Sequence, residues 1–324
     1  MNVGLRQFLH FAVVAVILIG LSGHGAWSQA TRTIKIVVPV SPGGASDLLA
    51  RLLGEQIGRV QGPRILIEDR PGASGVIGTE AASRAAPDGN TVLIISSDSL
   101  VLPHLRKLNY DPLTSFEPIC YLVRTPLVIV VNAASPYRTL ANVLDAARAK
   151  PRDFTLASFG PATVHQIAFD TLKRAAKVDM TFVPYPGVAP AVNALLGEHV
   201  SSVLGTYSTV AEQLNAGRLR ALVTTSRTRI EPLPEVPTVA ESGYNNYEVD
   251  YWLGLFAPAK TPKDTLSQLA DWFIAAMQAP EVKSKLVAQG LYPVGMCGVE
   301  FVAFLRKQYD NFGNVIREAK IKAE

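Results

Sequence analysis

Two stretches of this 324-residue chain place glycine, proline and hydroxyl residues where they can bind an anion. They are Ser41-Pro42-Gly43-Gly44-Ala45-Ser46-Asp47 and Ser158-Phe159-Gly160-Pro161-Ala162-Thr163. Each follows a short apolar run and precedes a segment with helical apolar spacing. A helix opening at such a turn presents N–H groups without intrahelical acceptors, at the positive end of its dipole. Together these hold an anion without a cationic side chain. Gly43, Gly44 and Gly160 let the backbone approach a ligand, and Pro161 suits a first helical position. Ser46, Ser158 and Thr163 add hydroxyls that can donate to carboxylate oxygens or bridging water. Either turn alone reads equally as an ordinary helix start, because such turns are often rich in Gly and Ser. Their recurrence in two parts of the chain points to binding. Asp47 is either a helix cap or a grip for an ammonium or hydroxyl group. His165 either meets the ligand or ties its own loop to the backbone.

Other chemistries find little support. There is no Gly-x-Ser-x-Gly elbow. Gly72, Gly75 and Gly78 do not have the dinucleotide-binding spacing. No His, Cys or Glu group has metal-ligand spacing, and no cofactor is implied. Ser158 and His165 could form a nucleophile–base pair of a hydrolase, but the sequence offers no third group to orient the histidine. The net charge is +4 with scattered basic residues, which argues against nucleic acid. Cys120 and Cys297 are either one disulfide or two buried thiols.

The elements that position the turns alternate. Strands are expected at Thr33–Val40, Arg64–Glu68 and Thr91–Ser96. Helices are expected through Leu48–Ile57 and over Val76–Ala85. That order implies parallel strands with crossover helices. An extended segment, Tyr121–Asn132, and a helix, Leu140–Ala149, come next. A second set follows: strands at Phe154–Ala157, Thr181–Pro184, Val200–Leu204 and Leu219–Thr224, with helices Val164–Ala175, Ala189–Gly197 and Val210–Ala216. An extended Val249–Phe256 and helices Pro262–Met277 and Glu300–Ala319 close the chain.

At the N-terminus, Arg6 precedes the apolar run Phe8–Leu21 and a small-residue stretch, Ser22–Ala30. This is the order of an export signal, with cleavage after Ala30 or after Ser28. The run is short for a membrane anchor, which needs roughly 20 residues.

The motifs together resemble the Bug/TctC family, the substrate-binding proteins of tripartite tricarboxylate transporters. The resemblance begins at Ile36-Val37-Val38-Pro39 and Pro42–Asp47. It continues through Asp69–Gly75, Ala86-Pro87-Asp88-Gly89, Tyr110-Asp111-Pro112 and Phe116-Glu117-Pro118. Ser158-Phe159-Gly160 with His165, Val183-Pro184-Tyr185 and Gly187 follow. Leu233–Thr238 with Glu241 and Gly243, then Trp252, Gly254 and Ala257-Pro258, complete it. The family usually has Phe-Pro at Val40-Ser41, Asn at Asp69, an aromatic at Asn90, Lys at Pro186 and a residue other than Pro at Pro161.

The resemblance implies an α/β fold: a two-lobed periplasmic binding protein, each lobe a mixed sheet flanked by helices, hinged by crossing segments. Residues 1–30 would be the signal, 31–130 and 251–324 one lobe, and 131–250 the other. The implied activity is capture of a small organic acid or amino acid by a monomer, without catalysis. The implied partners are membrane transporter subunits or, alternatively, a membrane sensor. The implied ligand residues are Val40, Ser41, Gly43, Gly44, Ala45, Ser46 and Asp47 in one lobe. Ser158, Gly160, Ala162, Thr163 and His165 would face them from the other. Asp98, Thr206 and Tyr207 lie on further strand-end loops. Val40 and Ser41 would replace an aromatic wall by a smaller, hydroxyl-bearing one.

Overall fold

The computed structural model describes residues 32–319 and 321, so the expected export signal lies outside the described residues. Strand β1 (Thr33–Val38) buries Ile34, Ile36, Val37 and Val38. A strand apolar on both faces belongs inside a parallel sheet. β1 lies between parallel partners β2 (Arg64–Asp69) and β3 (Thr91–Ser96). The crossovers run through α1 (Ala45–Gln61) and α2 (Val76–Ser83). α1 buries Leu49, Leu53 and Ile57, one stripe along the helix. α3 (Asp98–Val101) is a single turn after β3.

The long strand β4 (Phe116–Asn132) and α4 (Leu140–Ala149) lead into a second parallel set. There β5 (Thr155–Phe159) is flanked by β6 (Thr181–Tyr185) and β7 (Ser202–Thr206). The crossovers are α5 (Val164–Ala176) and α6 (Val188–Leu196). α7 (Tyr207–Asn215) leads to β8 (Leu219–Thr224). β9 (Asp250–Pro258) then returns to the first sheet, antiparallel between β3 and β4. The chain closes with α8 (Lys263–Gln278), α9 (Pro280–Ala288), β10 (Tyr292–Cys297) and α10 (Gly298–Ala319).

β4 belongs to both sheets. From Phe116 to Pro126 it pairs with β9, and from Leu127 to Asn132 with β7 or β8. A proline is tolerated at this handover because the ladder changes partners there. One buried threonine ties the two crossing segments together. The Leu127 N–H donates to Thr225 Oγ1 at 3.0 Å, and the Thr225 hydroxyl donates to the Val249 carbonyl at 2.9 Å. The first sheet packs on an aromatic core in which Trp252, Phe256 and Phe301 are fully buried. The second has its own aliphatic core, including Val130, Val192, Leu195 and Val203.

Sequence periodicity misplaced some elements. β4 begins at Phe116 rather than Tyr121. α9 and β10 were not expected. α9 buries only Val282 and Leu286, too few for a visible stripe. β10 contains Pro293 and Gly295 and shifts register between Pro293 and Met296, which weakens its strand signature. β10 also places Cys297 opposite Cys120 on β4, and the two are joined as a disulfide.

α2 crosses close over the end of β1. A Cβ on Gly78 would stand 2.7 Å from the Arg70 carbonyl oxygen and 2.9 Å from Pro39 Cα. These are backbone atoms and cannot step aside cheaply. Gly78→Ala is therefore expected to destabilise by about 1–3 kcal/mol, as overpacked cores do. A thermal melting midpoint unchanged from the parent would show that α2 has room to move.

Candidate ligand-binding cleft

β1 ends at Val38, and the chain must reverse into α1 within a few residues. Gly43 makes the reversal at φ +85°, a conformation that favours glycine. Gly44 is the N-cap of α1, and no side chain caps the helix. The first helical bond is Leu48 N–H to the Gly44 carbonyl, so the amides just before Leu48 have no acceptor within the helix. Two further helices start in the same way. α6 opens at Gly187 and α7 at Thr206, and neither start has a side-chain cap on a backbone N–H. The Thr206 hydroxyl instead exchanges hydrogen bonds with Ser208 and Thr209.

All three starts meet in one cleft. Val40, Ser41, Gly44, Ala45 and Ser46 form one side. Gly187, Val188 and Ala189 with Thr206 and Thr209 form the other. Phe159, His165 and Tyr251 complete the lining, and Pro42 borders it. Among the described residues, no aspartate, glutamate, lysine or arginine lines this space. Its positive potential comes from helix ends alone.

The second expected turn behaves differently. α5 starts at Val164, three residues beyond Pro161, so Pro161 is not its first residue. The turn's amides are already engaged. Gly160 N–H donates to the Tyr185 carbonyl, and Ala162 N–H to Gln166 Oε1. Thr163 Oγ1 accepts from Gln166 N–H, and Val164 N–H donates to Asp98 Oδ1 at 2.7 Å. The Ser158 hydroxyl is buried and donates to the Leu204 carbonyl. Ser158, Gly160, Ala162 and Thr163 thus do not line the cleft; they hold α5 in place. That bond removes the geometry a Ser158 nucleophile would need. Tyr207 is buried with its ring against Gly290, away from the cleft lining.

Asp47 is also turned inward to its own element. Its Oδ2 accepts from Gly43 N–H at 2.9 Å, and its Oδ1 meets Arg51 Nε at 2.6 Å. It caps no amide of α1, so the expected helix cap is not formed; Asp47 braces the turn before the helix instead. Gly43 likewise shapes the turn without lining the cleft.

Asp98 spans from the first sheet to the second. Besides Val164 it accepts from the Ser96 hydroxyl at 3.0 Å, and Tyr251 hydrogen-bonds it as well. Burial pushes its carboxyl up to about 6. Ser74 adds another bridge, donating to the Pro161 carbonyl at 3.2 Å. His165 follows Val164 and is 1% exposed. Its ring meets Tyr251 at 4.9 Å and Phe159 at 6.1 Å, both edge-on. Neither ring nitrogen has a hydrogen-bond partner in the protein, and burial lowers its pKa to about 3. His165 is therefore neutral at ordinary pH.

The sequence reading did not nominate Phe159, Gly187, Val188, Ala189, Thr209 or Tyr251. The strand β6, Gly187 and the start of α6 repeat the grammar of the first turn, and that was the available signal.

Two mixed sheets sharing β4, with helix starts from both converging on one cleft, define the two-lobed fold of solute-binding proteins. The chain belongs to the tripartite tricarboxylate transporter receptor family, whose profile matches residues 49–321. A protein encoded in the tcbD–tcbE intergenic region of Pseudomonas sp. strain P51 is 31% identical, over 99% of this chain and 96% of its own. BugT of Bordetella pertussis is also 31% identical, over 90% of this chain and 91% of its own. Among solved structures, the periplasmic binding protein BugD superposes with a TM-score of 0.85 at 30% identity, covering 90% of this chain and 99% of BugD. An R. palustris protein solved with adipate gives 0.87 at 28% identity, covering 91% and 99%. MatC of Rhodopseudomonas palustris with bound malate gives 0.81 at 27%, covering 89% and 99%. The resemblance read from the motifs holds, and the chain is a solute-binding protein rather than an enzyme.

Asp98 and His165 pull acid stability in opposite directions. Asp98 moves from 3.8 to about 6 on folding, so its contribution is full below 3.8 and lost as pH rises through 6. The span is worth up to roughly 3 kcal/mol. His165 moves from 6.5 to about 3, so its contribution is full above 6.5 and lost as pH falls toward 3. Asp98→Asn should therefore lose melting temperature more steeply than the parent on acidification from about pH 6.5 to 4. His165→Phe should resist acid better than the parent over that range. Parallel pH profiles for all three proteins would refute the opposition.

Proposed function

We propose that this chain is an exported periplasmic receptor that captures a small carboxylate-bearing solute in the cleft and presents it to a transporter of the tripartite tricarboxylate type. One observation carries the reading. Three uncapped helix starts, from α1, α6 and α7, converge on a cleft with no charged side chain of either sign in its lining among the described residues. Unpaired N–H groups in a low-dielectric space attract an anion and gain little from anything else. Adipate and malate in two related structures support a carboxylate.

Residues 31–130 with 251–324 form one lobe in this reading, and 131–250 the other. The handover in β4 and the entry to β9, braced by Thr225, are the hinge. Gly187 approaches Ser41 across the cleft, where a Cβ on Gly187 would lie 3.7 Å from Ser41 Oγ. A ligand seated there touches both lobes only when they are closed, so it shifts the population toward closure. The closed form is what a membrane partner would recognise. Export rests on the N-terminal signal pattern, and among the described residues no helix is long and apolar enough to cross a membrane.

A thermal-shift screen of small acids identifies ligands, because binding at 100 times Kd adds about 2.7 kcal/mol to stability. Gly44→Val tests the placement. Gly44 has φ −86°, and a Cβ there has only the Ser41 carbonyl oxygen within 4 Å, at 3.8 Å. The variant should melt near the parent temperature and bind the identified acid roughly tenfold or more weakly, a loss of about 1.4 kcal/mol. Unchanged affinity by calorimetry would move the site elsewhere.

A further inference from the structure

α5 follows β5 of the second sheet, yet its first amide is held from the first sheet. Val164 N–H donates to Asp98 Oδ1 at 2.7 Å, and both residues are buried. Asp98 lies outside the lining of the cleft. It borders a separate small cavity with Ser74, Ser99 and Tyr110. Its other two donors are the hydroxyls of Ser96 on β3 and Tyr251 on β9. The carboxylate is thus fixed within the first sheet and offers one remaining acceptor to α5. At about pH 7.5 it is ionised, because burial pushes it up only to about 6. A carboxylate on the first amide of a helix makes a charge-assisted bond at the positive end of the dipole.

We propose that Asp98 is a positioning residue for solute capture: it caps α5 from the opposing lobe and so holds the receptor in its closed arrangement before any solute arrives. This rests on the receptor reading above, in which Asp98 belongs to one lobe and Val164 to the other. When the lobes part, the bonds from Ser96 and Tyr251 travel with Asp98 and persist. The bond to Val164 is lost, and with it the smaller bridge from Ser74 to the Pro161 carbonyl. The cap on α5 therefore exists only in the closed form, and it favours that form by the free energy of one charge-assisted hydrogen bond.

Asp98 then sets affinity without setting preference. The apparent affinity for any solute scales with the fraction of receptor already in the binding-competent state. Removing the cap lowers that fraction and weakens every solute by one common factor. A residue that touched the solute would instead weaken some solutes more than others.

The test is small-angle X-ray scattering on the full mature protein, dialysed free of small acids at about pH 7.5. The parent should have the radius of gyration calculated from the structure. Asp98→Ala removes the cap. Val164→Pro removes the same bond from its other end. Proline is tolerated at a first helical position, and Thr163 before it has φ −124° and ψ 165°, the extended region that a following proline requires. Both variants should expand, with the closed-to-open ratio lowered roughly tenfold or more. The double variant should expand no further than either alone, since both remove one bond. Asp98→Asn keeps a carbonyl acceptor and should lie between parent and Asp98→Ala. Malate or adipate, where it binds the parent, should return both variants to the parent radius and bind them more weakly by one common factor. Near-UV circular dichroism identifies the folded variants, on which the comparison is made. Either folded variant with the parent's radius would overturn the inference while leaving the receptor reading intact. So would a parent as expanded as the variants, or loss of fold in all three, which would mark Asp98 as a packing residue. Failure of every acid in the thermal-shift screen to bind the parent would overturn the receptor reading instead.

Discussion

The structure depends on how its helices begin. Four helices start at strand ends around one space, and the chain treats one of them differently. α5 has its first amide, Val164, satisfied by Asp98 and its third, Gln166, by Thr163. α1, α6 and α7 have no side-chain cap on their first amides. A start without a side-chain cap costs about a few tenths of a kcal/mol where glycine is the N-cap, as at Gly44 and Gly187, and about 1 kcal/mol otherwise. Three of them facing one cleft are best understood as a site whose last component is an external anion. The contrast with α5 shows that this sequence can supply caps where none is needed for binding.

That arrangement requires two sheets held at a controlled distance. β4 achieves this by belonging to both, so the two cores share a rigid strand rather than a loose linker. Thr225 binds the second crossing segment to the same point. Asp98 and Ser74 then reach from loops of the first sheet to the start of α5 and to its preceding turn. These contacts are polar and few. The buried carboxyl of Asp98 and the buried imidazole of His165 both meet Tyr251, so the contact between the sheets and the ring at the cleft lining share one neighbour.

Much of the fold was legible because its signals are local. β1 and the stripe of α1 are plain in the sequence, and so are the parallel sets around β1 and β5. The motif run from Ile36 to Pro258 carried the family. α9 and β10 were not legible because their packing is shared among distant elements and their own patterns are thin. The disulfide pairing of Cys120 with Cys297 follows from strand register, which spacing along the chain does not encode. In the site, the first turn was found because its glycines and its helix are adjacent. The turn before α5 has the same residue types, yet its amides are consumed by Asp98, 66 residues away, and by Gln166. Composition cannot distinguish an open helix start from one already capped through space. Tyr251 and Gly187 entered through topology, since β9 and β6 bring them to the cleft from remote positions.

The most direct measurement is a backbone amide titration by ¹H–¹⁵N NMR with an acid found to bind. The account predicts large downfield proton shifts at Ala45 and Ser46 and at the first amides of α6 or α7, with Val164 nearly unmoved. Shifts concentrated at Gly160, Ala162 and Val164, with Ala45 and Ser46 silent, would contradict it.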